Sequence, residues 1–168
     1  PEQAGDAQSP LHSIMGNGMR PDIWMNFKKR YGIKRVCEFY GASEGNVSFA
    51  NLMNKDMTVG MTSAEVELVK YDVDNDEVVT NDAGRCIAVQ PGEAGLLLGK
   101  ITPDTVFEGY TDAEATENKV FRNAFSDGDA WFNTGDLMRT VDVGYTLGYD
   151  HYQFVDRVGD TFRWKAEN

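Results

Sequence analysis

Basic residues are scarce in this sequence. Its 168 residues include 27 acidic and 16 basic side chains, which gives a formal net charge of −11 at pH 7. Proteins that bind nucleic acid polymers usually present a basic surface, because contacts with phosphate dominate their affinity. The charge balance therefore argues against DNA or RNA polymers as partners. It still allows a single nucleotide bound with its own metal ion, because that ion supplies positive charge.

Cysteine is also scarce, and long apolar runs are absent. The two cysteines, Cys37 and Cys86, are far apart and have no CxxC spacing, which indicates neither a disulfide scaffold nor a zinc site. No apolar run is long enough to span a bilayer. The start of the sequence has neither the basic nor the apolar region of a signal peptide. We therefore expect a reduced, cytoplasmic setting, and the sequence leaves peripheral contact with a membrane open.

Local patterns predict an α+β fold. Residues 20–32 predict a helix with Pro21 in its first turn, and residues 33–41 predict the strand that follows. Beyond this short α/β segment, apolar runs separated by turn residues predict a mostly antiparallel, barrel-like sheet, with one strand over residues 85–90. A second helix is predicted over residues 111–125. Ligands of α/β sheets bind beyond the carboxyl ends of strands, so the end of the first strand is the place to seek a site.

The acidic run DVDNDE at residues 72–77 superficially resembles a calcium-binding loop. A loop of the EF-hand kind requires glycine at position six and glutamate at position twelve. With Asp72 at position one, those positions hold Glu77 and Ala83. We therefore interpret the run as a solvent-exposed hairpin turn.

Three polar motifs follow one another along the chain, namely YGASEG at residues 40–45, FNTGDL at 132–137 and FVDRVGD at 154–160. Each motif alone is weak, because glycine turns and surface Asp–Arg pairs are common in proteins. Together they supply the chemistry of nucleotide binding. An aromatic ring can stack on a purine, a carboxylate can accept hydrogen bonds from a ribose or bind magnesium, and an arginine can donate to a ribose or phosphate oxygen.

In this order the motifs closely resemble the adenylate-forming enzymes, which include acyl-CoA synthetases, luciferases and peptide-synthetase adenylation domains. Longer stretches, such as MGNGMRPDIW, EFYGASEGNVSFANLMNK and VGDTFRWK, resemble the branch of fatty acid transport proteins and very-long-chain acyl-CoA synthetases. The resemblance implies the last third of a large N-terminal domain. Residues 1–57 would end its α/β nucleotide-binding subdomain, residues 58–155 would form a β-rich barrel-like subdomain, and residues 156–168 would form the hinge to a further domain.

The resemblance also implies roles for the residues of YGASEG. Tyr40 would stack on the adenine, and Gly41 would let the backbone approach it closely. Ser43, which stands where the family usually has threonine, would contact the α-phosphate. Glu44 would bind Mg2+.

The other motifs receive roles in the same way. Asp136 would accept hydrogen bonds from the ribose hydroxyls, and Arg157 would reach the ribose from the start of the linker. Gly16 and Gly18 would lie in a loop that borders the acyl and adenine pockets. These two glycines have a plain structural alternative, because turns need glycine without any ligand.

The resemblance also concerns three positions at the end of the chain, near the family's hinge. Gly159 and Asp160 would fall where the small C-terminal domain swings between the two half-reactions. Ala166 departs from the family pattern, which has glycine there. If that position needs a positive φ, alanine would be strained by about 1 kcal/mol.

The activity implied for the parent protein is AMP-forming activation of a fatty acid, first to an acyl-adenylate and then to its CoA thioester. ATP or AMP, Mg2+ and CoA would be its cofactors. This chain would supply the adenosine-binding half of the site and no catalytic residue, because nothing in it resembles the family's phosphate loop or its catalytic lysine. A stand-alone nucleotide-binding or self-associating module is the alternative.

A domain cut at these points would expose apolar faces, so we expect a homodimer or a larger species. The first predicted helix offers a candidate contact, because its apolar residues recur with helical spacing. Ile23, Trp24, Phe27 and Tyr31 share one helical face, and the candidate contact is formed by Ile23, Trp24 and Phe27.

Overall fold

The computed structural model describes residues 3, 5–42, 47–103, 105, 117 and 119–158. The described residues include a short 3-10 turn, Asp6–Gln8, and an α-helix, α1, Pro21–Tyr31. Its strands, in chain order, are β1 (Ser13–Gly16), β2 (Arg35–Gly41), β3 (Ser48–Ala50), β4 (Val66–Val69), β5 (Tyr71–Asp72), β6 (Glu77–Val78), β7 (Gly95–Lys100), β8 (Val120–Arg122), β9 (Ala130–Val141) and β10 (His151–Arg157).

The chain divides into two compact units. The first unit comprises Pro1–Gly41, Ser48–Ser63 and Val141–Gln153, and the second comprises Ala42–Val47, Ala64–Thr140 and Phe154–Asn168. The predicted α+β class is confirmed, since the described strands are mostly antiparallel and one helix precedes most of them. The predicted subdomain boundaries remain predictions.

Helix α1 begins and ends where the sequence predicts. Pro21 occupies its first turn, where its missing N–H costs nothing. Gly32 ends it with φ +66° and donates its backbone N–H to the carbonyl of Lys28. That left-handed conformation favours glycine, which explains why the helix stops at this residue.

The apolar face predicted for α1 is wrong at one position. Trp24 is 1% exposed and packs with Ile33 and Val36, whereas Ile23 is 49% exposed. Adjacent helical residues point about 100° apart, so only one of the two can face this core. The indole N–H of Trp24 donates to Asp56 at 3.0 Å. Trp24 is therefore a core residue and not a surface contact for a second copy, and homodimer formation remains a prediction.

The sheet of the first unit is mixed. β1 pairs with β2 in parallel, with Gly16 opposite Glu38, and α1 is the crossover between them. β3 pairs with the second half of β2 in antiparallel fashion, with Gly41 opposite Ser48. Gly16, which was expected to lie in a loop, is instead extended at the end of β1 by its pairing with β2. The first half of β2 is thus paired with β1, and its end is paired with β3.

The larger sheet has the order β10-β9-β7-β4, with β8 also paired to β9. It is open among the described residues, since β10 and β4 are its end strands. Leu96 and Leu98 of β7 are fully buried and pack with Val69 and Trp131. Such a continuous apolar strand needs cover on both faces, which makes β7 the centre of this core.

Two predictions of secondary structure are wrong in this region. Val120–Arg122 form β8 and pair with β9, so the helix predicted over residues 111–125 fails at its C-terminal end. Residues 111–116 and 118 lie outside the described residues. Residues 85–90 form isolated bridges rather than a strand, with Cys86 opposite Thr80.

The hairpin predicted for the acidic run is confirmed. β5 and β6 pair with each other, and the backbone N–H groups of Asp74 and Asn75 donate to the carboxylate of Asp72. This carboxylate satisfies its own turn, as aspartate often does at such positions. No helix in the described part of the chain has the length and apolarity to cross a membrane.

Candidate functional site

Tyr40 lies near the end of β2 with its ring set by aromatic packing. Side chains alternate along a strand, so Val36, Glu38 and Tyr40 share one face of β2. Phe49 of the adjacent β3 meets the Tyr40 ring edge-on, with 5.7 Å between ring centroids. Phe49 is 2% exposed, whereas Tyr40 is only half-buried. A ring fixed from behind and partly accessible is suited to stack on a planar ligand.

Gly41 is the last residue of β2 and is exposed. A Cβ atom at this position would meet no heavy atom within 4 Å among the described residues, and the backbone there is not left-handed. Among the described residues, neither packing nor φ therefore requires glycine at this position. Ala42 and Val47 close the loop that follows with an N–H to carbonyl bond of 3.0 Å. Ser43 and Glu44 lie between them, outside the described residues.

The other glycines assigned to this site follow β1. Gly16 ends β1, and Gly18 has φ +90°, a conformation that side chains rarely adopt. The structural explanation is thus sufficient for Gly18. Backbone conformation does not explain the glycine at position 16, because φ is not positive there and a Cβ would meet open space.

Glu38 is a residue of this region that the sequence reasoning missed. Its side chain is 3% exposed, and the residue lies opposite Gly16 in the parallel pairing of β1 with β2. Burial raises the pKa of Glu38 above its ordinary value, and the backbone N–H groups of Met19 and Gly18 oppose that rise. The available sequence signal was an acidic residue at the inward position of an apolar strand, two residues before Tyr40.

Asp136 lies in the second unit, within β9, at a turn of the backbone that local hydrogen bonds define. The Thr134 hydroxyl donates to the carbonyl of Leu97 at 2.9 Å and accepts the backbone N–H of Asp136 at 3.1 Å. Gly135 has φ +75°, and its N–H donates to the side chain of Asn133. The hydroxyl of Thr134 therefore caps this turn.

The carboxylate of Asp136 is directed to a cation. Its side chain is 10% exposed, and its Oδ1 atom lies 3.4 Å from Nε of Arg157, whose side chain is 52% exposed. An ion pair open to solvent on one side contributes at most about 1 kcal/mol to stability. The pair thus places a nearly buried acceptor beside an accessible donor, an arrangement that can accept and donate hydrogen bonds to a polyhydroxyl group.

A second cation approaches the same turn. Nζ of Lys119 lies 3.5 Å from the position that a Cβ of Gly135 would occupy, and the Lys119 carbonyl accepts the backbone N–H of Asn133 at 2.7 Å. The backbone N–H of Val158 donates to the carbonyl of Gly135, which ties the residue after β10 to the turn. Lys119 carried no signal in the sequence, because it lies within the helix predicted there.

The structure thus brings the sequence-predicted residues together as two clusters, each within its own unit. Gly16, Gly18, Tyr40 and Gly41 belong to the first unit, and Asp136 and Arg157 to the second. Gly159, Asp160 and Ala166 lie outside the described residues, as do Ser43 and Glu44. Among the residues that are described, no group of three potential metal ligands is close enough to hold an ion, so a magnesium site at Glu44 remains a prediction.

Comparison with known proteins reveals relatives along the whole chain, although no protein-family model matches it. The chain is 47% identical over 168 residues to a medium/long-chain-fatty-acid–CoA ligase of Mycobacterium tuberculosis, covering 100% of this chain and 27% of that protein. It is 42% identical over 175 residues to long-chain fatty acid transport protein 2 of Rattus norvegicus, again covering 100% of this chain and 27% of that protein.

The chain belongs to the family of fatty acid–CoA ligases and long-chain fatty acid transport proteins. It spans about a quarter of the length of the curated relatives it matches. Its fold is similar to that of the anthranilate CoA ligase AuaEII, solved with anthranoyl-AMP, with a TM-score of 0.56 at 18% identity over 94% of this chain and 26% of that one. The resemblance to adenylate-forming enzymes predicted from the ordered motifs is therefore confirmed.

Proposed function

We propose that the complete protein that contains this chain is an AMP-forming fatty acid–CoA ligase. The identity of 47% with a medium/long-chain-fatty-acid–CoA ligase, sustained over every residue of the chain, carries this proposal. ATP and CoA are the co-substrates of such a reaction, and Mg2+ would neutralise charge on the phosphates of ATP. The fatty carboxylate attacks the α-phosphorus and releases pyrophosphate, and the CoA thiol then displaces AMP.

In this proposal Asp136 and Arg157 bind the ribose of the nucleotide. The carboxylate is nearly buried and paired with Arg157, and the backbone N–H of Asp136 is held by Thr134, so little side-chain freedom is lost when a ligand binds. Hydrogen bonds to a charged group contribute about 1.5–3 kcal/mol each, so a ribose held by two of them would be anchored firmly. Asp136 takes no part in bond making or breaking, and its role is to position the nucleotide.

Tyr40 and Gly41 are proposed to contact the adenine. Phe49 packs against the ring of Tyr40, so this ring would keep its position when a base stacks on it. The open space beside Gly41 would admit the edge of the base next to the backbone. These contacts do not involve the acyl chain, so we expect them to affect the use of ATP and not the choice of fatty acid.

The proposal is tested by Asp136→Ala in the complete protein. We expect kcat/KM for ATP to fall at least about tenfold, since one decade corresponds to about 1.4 kcal/mol, while kcat/KM for the fatty acid at saturating ATP changes much less. Tm measured on the same preparation separates this effect from loss of folded enzyme. Unchanged ATP kinetics with a lowered Tm would mean that Asp136 has only a structural role.

Asp127→Ala is the matched control. Asp127 also pairs with an arginine in the second unit, Arg85, but its side chain is 96% exposed and it lies outside the FNTGD turn. We expect no change in the kinetics of either substrate. An equal loss of ATP use in both variants would show that the assay responds to any lost surface charge, and the role of Asp136 would have to be abandoned.

The isolated 168-residue chain is expected to form no acyl-CoA from ATP, fatty acid and CoA, because it covers 27% of its ligase relative. The measurement compares the purified chain with a mock preparation. Formation of the thioester above that background would contradict the assignment of the chain as a nucleotide-binding segment without catalytic residues.

A further inference from the structure

Positive charge is concentrated in one short stretch of this acidic chain. Residues 28–35 contain five basic residues and no acidic one, although the chain carries a net charge of −11. Two of the five, Lys28 and Arg30, form ion pairs with Asp56 and Asp6. The remaining three are exposed and form no salt bridge in the part of the chain that the structure describes. These three are Lys29, Lys34 and Arg35.

The dipole of α1 explains only one of these three exposed cations. Lys29 lies in the last turn of the helix, where positive charge is stabilising. Lys34 follows the cap at Gly32, and Arg35 is the first residue of β2. The effect of the dipole is confined to the last turn, so it does not account for Lys34 and Arg35.

Two exposed leucines lie beside these cations. The backbone N–H groups of Lys34 and Arg35 donate to the carbonyl of His12 at 2.8 and 3.1 Å, which brings the neighbouring Leu11 to the same edge of the sheet. The guanidinium of Arg35 donates to the carbonyl of Leu52 at 3.2 Å. Leu11 is 52% exposed and Leu52 is 61% exposed. Together these residues form the basic surface, defined as Leu11, Lys29, Lys34, Arg35 and Leu52.

The basic surface lies away from the proposed nucleotide contacts of the same unit. β1 and β2 are parallel, with Ser13 opposite Arg35, so both strands begin at this edge of the sheet. Tyr40 lies further along β2, about 16 Å from Arg35 at about 3.3 Å per residue of an extended strand. Ligands of such sheets bind at the opposite, carboxyl edge. The basic surface therefore needs a partner other than the nucleotide.

We propose that the basic surface binds an anionic lipid bilayer. Each cation close to anionic headgroups raises partitioning onto a bilayer about fivefold. Exposed leucines beside the cations can enter the boundary between headgroups and acyl chains. A bilayer uses both features at once, whereas attraction to an acidic protein needs only the cations. The acidic remainder of the chain would be repelled by the same headgroups, so contact is confined to this surface.

The first measurement is cosedimentation of the unaltered complete protein with vesicles, without ATP or fatty acid. We expect binding to vesicles of phosphatidylcholine with phosphatidylserine and much weaker binding to phosphatidylcholine alone. Raising the salt concentration from about 0.05 M to about 0.5 M should weaken binding at least about tenfold, because salt screens exposed charges. Equal binding to both kinds of vesicle, or binding to neither, would overturn the proposal.

The second measurement removes the three cations of the basic surface. Lys29→Gln, Lys34→Gln and Arg35→Gln together should lower the partition coefficient on anionic vesicles at least about tenfold. The matched control replaces three exposed cations elsewhere and changes net charge equally, and it should stay within about twofold. It combines Arg20→Gln, Lys70→Gln and Arg122→Gln. An equal loss in both triple variants would show that vesicles respond only to net charge, and the basic surface would have no special role.

The leucines distinguish a bilayer from an acidic protein. Leu11→Ala with Leu52→Ala should lower partitioning at least about threefold and leave its salt dependence unchanged, because insertion is apolar. Val73→Ala with Leu147→Ala is the control, at residues that are 67% and 60% exposed. Equal effects of the two pairs would contradict insertion at this surface. Retention on immobilised polyglutamate without binding to vesicles would assign the surface to an acidic protein and overturn the proposal.

These measurements are independent of the proposed ligase activity. Tm of each variant checks that it is folded, and the dependence on salt and lipid charge is measured on the unaltered protein alone. If the protein forms no acyl-CoA, the proposed function fails and vesicle binding still decides the inference. If the protein is active but does not bind anionic vesicles, the inference fails and the function stands.

Discussion

The candidate residues of the two units are held in place by different kinds of contact. In the first unit, Tyr40 depends on pairing between strands distant in sequence and on the packing of Phe49. In the second unit, Asp136 depends on a turn whose hydrogen bonds come largely from its immediate neighbours, Asn133 and Thr134. The first arrangement should respond to any change that separates strands, and the second to loss of single hydroxyl or amide groups.

Backbone proximity also distinguishes Gly60 of the first unit from Gly135 of the second. In the first unit, Gly60 has φ +92°, and a Cβ there would lie 2.0 Å from the carbonyl oxygen of Ala50. In the turn of the second unit, a Cβ at Gly135 would meet only the flexible end of Lys119, at 3.5 Å. At Gly60 the backbone therefore packs directly against backbone, whereas at Gly135 the neighbouring atom belongs to the flexible side chain of Lys119.

The largest expected effect is that of Gly60→Ala on the first unit. The new methyl group would overlap the carbonyl of Ala50 and also require an unfavourable φ, so we expect a loss of at least about 3 kcal/mol in the free energy of unfolding. Gly144→Ala is the control in the same unit, with φ +76° and open space at the Cβ position, and should cost about 1–2 kcal/mol. Denaturant unfolding measures both, and equal losses would refute the importance of backbone proximity.

A core substitution in the second unit should come next. Leu98→Ala removes a fully buried side chain of β7 and is expected to cost about 2–5 kcal/mol. Val73→Ala, at a residue that is 67% exposed in the same unit, should stay within about 0.5 kcal/mol. Tm values of the two variants check this difference, and a comparable fall in both would mean that β7 is not the centre of the core.

Loss of one hydroxyl should have an intermediate effect confined to the turn at Asp136. Thr134→Val keeps the shape of the side chain but leaves the Leu97 carbonyl and the Asp136 N–H without this partner, at a cost of about 1–3 kcal/mol. Thr134→Ser should restore most of it. KM for ATP is expected to rise in the valine variant alone, and an increase in neither variant would argue that the turn does not position Asp136.

The smallest expected effect is a pH dependence that belongs to the first unit. Burial raises the pKa of Glu38, so the folded state holds this proton more tightly than the unfolded state does. The resulting stability is fully present below the ordinary pKa of glutamate and is lost as pH rises through the raised value. Urea unfolding at several pH values should therefore show the unaltered protein losing stability relative to Glu38→Gln as pH increases from acid to neutral. Parallel curves would show that the carboxyl is not perturbed.

Signals carried by neighbouring residues were sufficient to predict several elements. Pro21 and Gly32 bound α1 as predicted, and Asp72 closes its own hairpin turn. The ordered motifs predicted the family, because each combines residue types whose spacing serves one local backbone conformation. Asp136 lies on such a motif, and its turn needs only the residues of FNTGD and one carbonyl of β7.

Tertiary contacts overrode local preference elsewhere. Val120–Arg122 follow a helix-like pattern in sequence, but Phe121 lies opposite Trp131 in the pairing of β8 with β9. Strand preference depends on such cross-strand neighbours, which no local pattern contains. Ile23 was placed on the same face as Trp24 for a similar reason, since spacing along a helix does not tell which side another element will cover.

The sequence by itself therefore determined the family, the bounds of α1 and the turn that carries Asp136. The sequence also singled out Tyr40, because a motif can identify a residue even when it does not show which neighbours hold that residue in place. Only the tertiary structure decided that Glu38 is buried and lies opposite Gly16, since both follow from the parallel pairing of β1 with β2. Register between distant strands is set by packing across the whole unit, and it becomes defined only when the chain has folded.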